Sequence, residues 1–98
     1  MSTRATDPAA AIAVGEVSER EVVTVSGRVA AVTVEPKNTA PRLVVRLSDS
    51  SGVIDLVFIG RRSLPGVDPG VAIRASGRVQ ALSTGNAILN PRYDLVAS

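Results

Sequence analysis

The chain has no cysteine, no histidine and no tryptophan, and Phe58 and Tyr93 are its only aromatic residues. These absences rule out disulfides, thiolate or imidazole metal sites, cysteine nucleophiles and histidine acid–base chemistry. An enzyme would need a carboxylate pair, a Ser–Lys dyad or a cage of oxygen ligands instead. Lys37 is the only lysine, and it lies in a proline-flanked loop rather than in an apolar pocket. The carboxylates are scattered one to a turn or strand, and Gly60, Gly66 and Gly70 lack the spacing of a phosphate loop. The expectation is a protein that is not an enzyme and carries no metal or cofactor. No apolar run approaches the roughly 20 residues that span a bilayer. Met1 to Ala13 lacks the apolar stretch of a signal peptide. A cytoplasmic setting without a membrane partner is expected.

What remains is rich in Val, Ala, Leu and Ile. Hydrophobic residues make up 45% of the 98 and charged ones 20%, the balance of one folded domain. Heavy use of β-branched side chains favours strands over helices. The net charge of +2 is unevenly placed. Residues 1–21 carry −2, whereas residues 22–93 set nine cations against Glu35, Asp49, Asp55 and Asp68, a net of +5. All the cations but Lys37 are arginines, whose planar fork suits phosphate and base edges. A basic middle is permissive for a polyanionic partner.

Periodicity sets the elements. Asp7-Pro8-Ala9-Ala10-Ala11 predicts at most two helical turns, stopped by Gly15, after a loose tail. Ile12, Val14 and Val17 are placed to plug one end of a barrel. Residues 1–20 therefore read as a tail with a short helical segment, and 21–98 as the folded body. Val22 to Val34 alternates but is too long for one flat strand, and Gly27 at its middle is expected to mark a bulge or bend. Arg42 to Ser48 puts Leu43, Val45 and Leu47 on one face, with Arg42, Val44 and Arg46 on the other. Asp49-Ser50-Ser51-Gly52 is a hairpin turn. The return strand, Val53 to Ile59, sends Ile54, Leu56 and Phe58 inward, leaving Asp55 in water and Val57 beside it. Gly60 to Gly70 is a connection with room for one helical turn at most. Val71 to Leu82 is the fourth strand, and residues 87–96 the fifth, interrupted by Pro91.

Val25-Ser26-Gly27-Arg28-Val29 returns as Ala75-Ser76-Gly77-Arg78-Val79. Two long strands, each with a central glycine, let a small barrel turn its corners. A long bent strand, a hairpin, a connection and a second hairpin give an all-β fold, a five-stranded Greek-key OB barrel with little or no helix between strands three and four. The residues resemble those of known OB families. Val23 to Val29 is similar to the first strand of the anticodon-binding domains of aminoacyl-tRNA synthetases, and Leu47 to Phe58 to their second hairpin. Gly66-Val67-Asp68-Pro69-Gly70 and Leu89-Asn90-Pro91-Arg92-Tyr93 resemble the wedge domain of branched-DNA helicases and, more closely, stand-alone OB proteins of actinobacteria.

The resemblance implies that a ligand crosses the outer face of strands two and three, between the loop joining strands one and two and the loop joining four and five. Mapped here, that surface offers Arg42, Val44, Arg46, Asp55 and Val57. Lys37 and Asn38 rim it from one loop, Thr84 and Asn86 from the other, and Arg28 borders it. Arg61-Arg62 is the densest basic spot. Such cations either track a phosphate backbone or are ordinary solvated strand and loop residues. Phe58 is expected in the core; Tyr93 either stacks on a base or packs at the barrel end. With so few rings, stacking worth about 1–3 kcal/mol per base is largely missing. The expected function is binding of single-stranded DNA or RNA, with modest affinity and little sequence specificity. A protein-interaction or homo-oligomerisation module is the alternative.

Overall fold

The two stretches that echo each other in sequence lie side by side in space. The chain's structure, a computed structural model, describes residues 11–35, 40–83 and 85–96. β1 (Val22–Glu35) and β4 (Ala72–Leu82) hold the two Ser-Gly-Arg-Val copies. They pair antiparallel, from Val22 opposite Arg78 to Arg28 opposite Ala72. The ladder continues past both ends in the same way. Val29 N–H donates to Val71 and Gly70 N–H to Val29, at 2.9 and 2.7 Å; Val79 N–H donates to Glu21 and Arg20 N–H to Val79, at 2.8 and 2.7 Å.

β2 (Arg42–Asp49) and β3 (Gly52–Ile59) form the expected hairpin. β2 pairs with the far half of β1. β5 (Gly85–Leu89) runs parallel to β3 and antiparallel to the end of β4. The order β1-β2-β3-β5-β4 closes through the β1–β4 pairing, giving a five-stranded OB barrel. The fifth strand expected over 87–96 is cut in two. β6 (Arg92–Leu95) leaves β5 and pairs with Ile73–Ser76 of β4. Pro91 cannot donate to a ladder. Before it, Asn90 adopts φ 48°. Its N–H bonds Val57 O at 2.6 Å while its Oδ1 accepts from Ile59 N–H at 3.0 Å. The break is thereby pinned to the end of β3.

Alternation delivers the core. Val25, Leu43, Val45, Leu47, Leu56, Val79 and Ile88 are sealed from water, and Phe58 is buried with them. Val14 and Val17 join this core with Ile12 packed alongside, as the sequence suggests. The helical segment expected from Asp7 lies, up to Ala10, outside the described residues; among those described, the short helical turn is a 3₁₀ turn over Val14–Glu16 that runs through Gly15. Ala11 to Ala13 is not helical. The reason is competition for the N–H groups. Val14 N–H donates to Asp49 Oδ2 at 2.8 Å, Gly15 N–H to Ser51 Oγ at 2.7 Å and Ile12 N–H to Thr24 O at 2.8 Å. The β3–β4 connection contains turns and no helix, and it buries Leu64 and Val67 instead. No helix among the described residues is long and apolar enough to cross a membrane.

The kink expected at Gly27 resolves into two features. At Gly27 the backbone of β2 comes so near that a Cβ would collide with the Ser48 carbonyl oxygen. The bulge itself lies at Ala30, since Val29 faces Leu47 and Ala31 already faces Arg46. One extra residue reverses which side chains point out. Before the bulge these are Thr24, Ser26 and Arg28; after it they are Ala31, Thr33 and Glu35.

Candidate functional site

Beyond the bulge, the outward side chains fall into three cross-strand rows. Glu35, Arg42 and Ile59 form one, Thr33, Val44, Val57 and Leu89 the next, and Ala31, Arg46, Asp55 and Ala87 the third. The β1, β2 and β3 members of these rows, short of Ile59, floor an open groove of 550 Å³, walled by Leu82 and Ser83 from the end of β4. Of the residues expected at a binding surface, Arg42, Val44, Arg46 and Val57 are brought together here.

Arg46 grips Asp55 with two parallel bonds, Nε to Oδ1 at 3.0 Å and Nη2 to Oδ2 at 3.3 Å. This fork-to-carboxylate geometry is the strong form of an ion pair. The hydrogen bond to Asp55, then its charge, raise the Arg46 pKa further above its already high value. Asp55 does not face open water as expected: its side chain is 12% exposed against 45% for Arg46. β5 runs along the other side of β3 and sets Ala87 beside Asp55, while Arg46 flanks it from β2. Val57 lies on the outer face as expected, but beside β5 it is only 2% exposed, hemmed between Val44 and Leu89 on the groove floor. Arg42 stands opposite Glu35, and its Nε is buried without a hydrogen-bond partner among the described residues. Among the described residues the groove is thus balanced, two arginines against two carboxylates.

The remaining expected contacts lie elsewhere. Arg28 sits before the bulge, outside the groove, with Nη1 donating to Gly70 O at 2.9 Å. Asn86 shares the face of Ile88, which is the inner one, because Ala87 takes the outward place beside Asp55. Arg61 and Arg62 are exposed in the connection after β3. Lys37, Asn38 and Thr84 lie outside the described residues. Ala31, Thr33, Glu35, Leu82 and Ser83 were missed by sequence reasoning, since nothing in Val29-Ala30-Ala31 announces a bulge. Neither ring reaches the groove. Phe58 and Tyr93 meet edge to face, centroids 5.6 Å apart at 80°, on the inner side. Among the described residues no group of acidic side chains comes together to hold a metal ion.

No protein-family model matches the sequence, and no curated protein matches it. The fold does have solved counterparts. The chain is similar to the p204 HINb domain, with TM-score 0.70 and 15% identity over 89% of this chain and 47% of that one. It is also similar to a chain of a replication protein A heterotrimer bound to ssDNA, with TM-score 0.61 and 14% identity over 93% of this chain and 69% of the other. The chain therefore spans about half the length of the p204 structure. At such identities the likeness establishes the OB fold.

Proposed function

We propose that this protein is a nucleic-acid-binding module without catalytic activity, taking single-stranded DNA or RNA with modest affinity and little sequence preference. The observation that carries the reading is Arg42, whose Nε lies buried and unpartnered, among the described residues, in an open groove beside Val44 and Val57 on its floor. An apolar floor beside a planar guanidinium suits a nucleotide: the plane stacks on a base and the fork bonds phosphate. Lys37 and Asn38 from the β1–β2 loop, and Arg61 and Arg62 beyond β3, are the proposed flanking contacts. The replication protein A complex with a similar chain is one bound to ssDNA, which favours the same ligand class here. Modest affinity follows from the rings being inside, where no base stacks on them. Titration of a labelled oligonucleotide at low and at physiological salt tests the reading. Binding that weakens as salt rises is the expected result, and Arg42→Ala weakens it on all sequences alike. No binding even at low salt would sink the proposal.

A second reading, assembly with another protein or a second copy, is favoured by β6. It ends the strand order, and Leu95 on it is 50% exposed. An open edge of this kind pairs readily with another strand. Light scattering decides it: a dimer that Leu95→Lys converts to monomer would support this reading.

A further inference from the structure

The groove is charge-balanced, yet the middle of the chain is strongly basic, so the surplus lies on another surface. The outward residues of β1 before its bulge, of β4 and of β6 also form cross-strand rows. Val22 is beside Arg78; Thr24, Ser76 and Arg92 follow; then Ser26, Arg74 and Asp94; then Arg28 and Ala72. Every row contains one arginine, and among the described residues Asp94 is the only carboxylate on the face. Between the guanidiniums stand mainly small hydroxyls and Ala72, which leave them room to converge on a ligand. The end arginines are held in matching fashion: Arg28 Nη1 donates to Gly70 O at 2.9 Å and Arg78 Nη1 to Arg20 O at 2.7 Å. Each keeps the rest of its fork for an acceptor. Arg74 Nε is buried with no hydrogen-bond partner among the described residues, and Arg92 is exposed.

We propose that this arginine face is a second nucleic-acid surface, one that follows the sugar–phosphate backbone of a single strand. The proposal rests on the reading of the protein as a nucleic-acid binder and moves its main electrostatic contact from the groove to the β1–β4–β6 side. Charge complementarity argues for it. Rows two residues apart step by about 6.7 Å along a strand, so each row offers one cation in turn to a chain carrying one phosphate per nucleotide. A single strand suits it better than a duplex, because its backbone is free to bend with the curved barrel wall.

The test is fluorescence anisotropy of a labelled oligothymidylate, titrated across a range of salt with the wild type, with Arg74→Ser/Arg92→Ser and with Arg42→Ala. Both substituted arginines reach the surface, and circular dichroism melts confirm that the barrel persists; if serine unfolds it, R74Q/R92Q keeps part of each side-chain stem. The expected result is a fall of about 1.4 in the slope of log affinity against log salt for the double variant, near 0.7 per lost phosphate contact. An unchanged slope in that variant, with binding lost in Arg42→Ala, overturns the arginine face and leaves the groove reading standing. A wild type that binds nothing at low salt overturns both. Polyglutamate competing as well as the oligonucleotide would assign the face to acidic polypeptides and overturn it too.

Discussion

Arg20 holds the same left-handed backbone conformation as Gly70, φ 74° against 93°, at matching stations on the two sides of the β1–β4 ladder. Each donates its N–H to a motif valine, Val79 or Val29, at 2.7 Å. Each carbonyl takes Nη1 of the motif arginine, Arg78 or Arg28. Glycine enters this region freely, whereas a residue with a Cβ does so at about 1–2 kcal/mol. Arg20→Gly is therefore expected to raise stability, by up to about 1 kcal/mol after the added freedom of the unfolded chain is subtracted. Gly70→Ala should lower it. Urea melts of the two variants check this, and a less stable Arg20→Gly would show that no strain is held there.

Asp49 predicts an acid limit. Its carboxylate accepts from Ser51 Oγ, from Val14 N–H and from the Ser51 and Gly52 N–H groups. The Ser51 hydroxyl bond leads the set that holds its pKa below the ordinary value. Since the unfolded chain takes up the proton at higher pH than the folded one, this contribution is complete above the unfolded pKa of about 3.9. It is lost as pH falls from there through the lower folded value. Asp49→Ala should cost about 1 kcal/mol or more at neutral pH and flatten the loss of stability below pH ~4. Thermal melts of both proteins across acidic pH read it out.

Removing one member of the Arg46–Asp55 pair should harm the fold more than removing both. Arg46→Ala strands a carboxylate that is largely shielded by its neighbours. The double variant, Arg46→Ala/Asp55→Ala, leaves no orphan charge. Melting temperatures are expected in the order wild type, double variant, Arg46→Ala. A single variant as stable as the double would mean that solvent already satisfies Asp55.

The two motif glycines should respond differently to a methyl group. At Gly27 the obstacle is the Ser48 backbone, which cannot give way without shifting β2. At Gly77 a Cβ would lie 2.6 Å from Ile88 Cγ2, a branch methyl of a buried side chain that can turn away without moving a strand's backbone. Gly27→Ala is expected at the upper end of the roughly 1–3 kcal/mol range for overpacking, and Gly77→Ala nearer the lower. Denaturant midpoints decide the order.

Most of the barrel was legible because its inner face follows a strict period of two: Leu43, Val45 and Leu47 face Phe58, Leu56 and Ile54 in register. Pro91 announced a break, though not that the chain beyond it would pair with the other end of β4. The outer face was harder to read. Asp55 and Val57 alternate outward as any strand predicts, but their cover comes from β5, more than twenty-five residues away in sequence. The groove's β1 wall depends on the extra residue at Ala30, which has no chemical signature of its own. The arginine face was invisible for a similar reason. Arg28, Arg74, Arg78 and Arg92 become neighbours only through the β1–β4–β6 register.

The Phe58–Tyr93 contact has a consequence for how the protein is observed. With no tryptophan, Tyr93 is the sole bright intrinsic fluorophore, and it is seated against Phe58 and the core rather than on either outer face. Its emission tracks whether the barrel is closed. A strand laid along the groove or the arginine face leaves the sheet between itself and that ring, so the intrinsic signal registers unfolding and stays silent on occupancy.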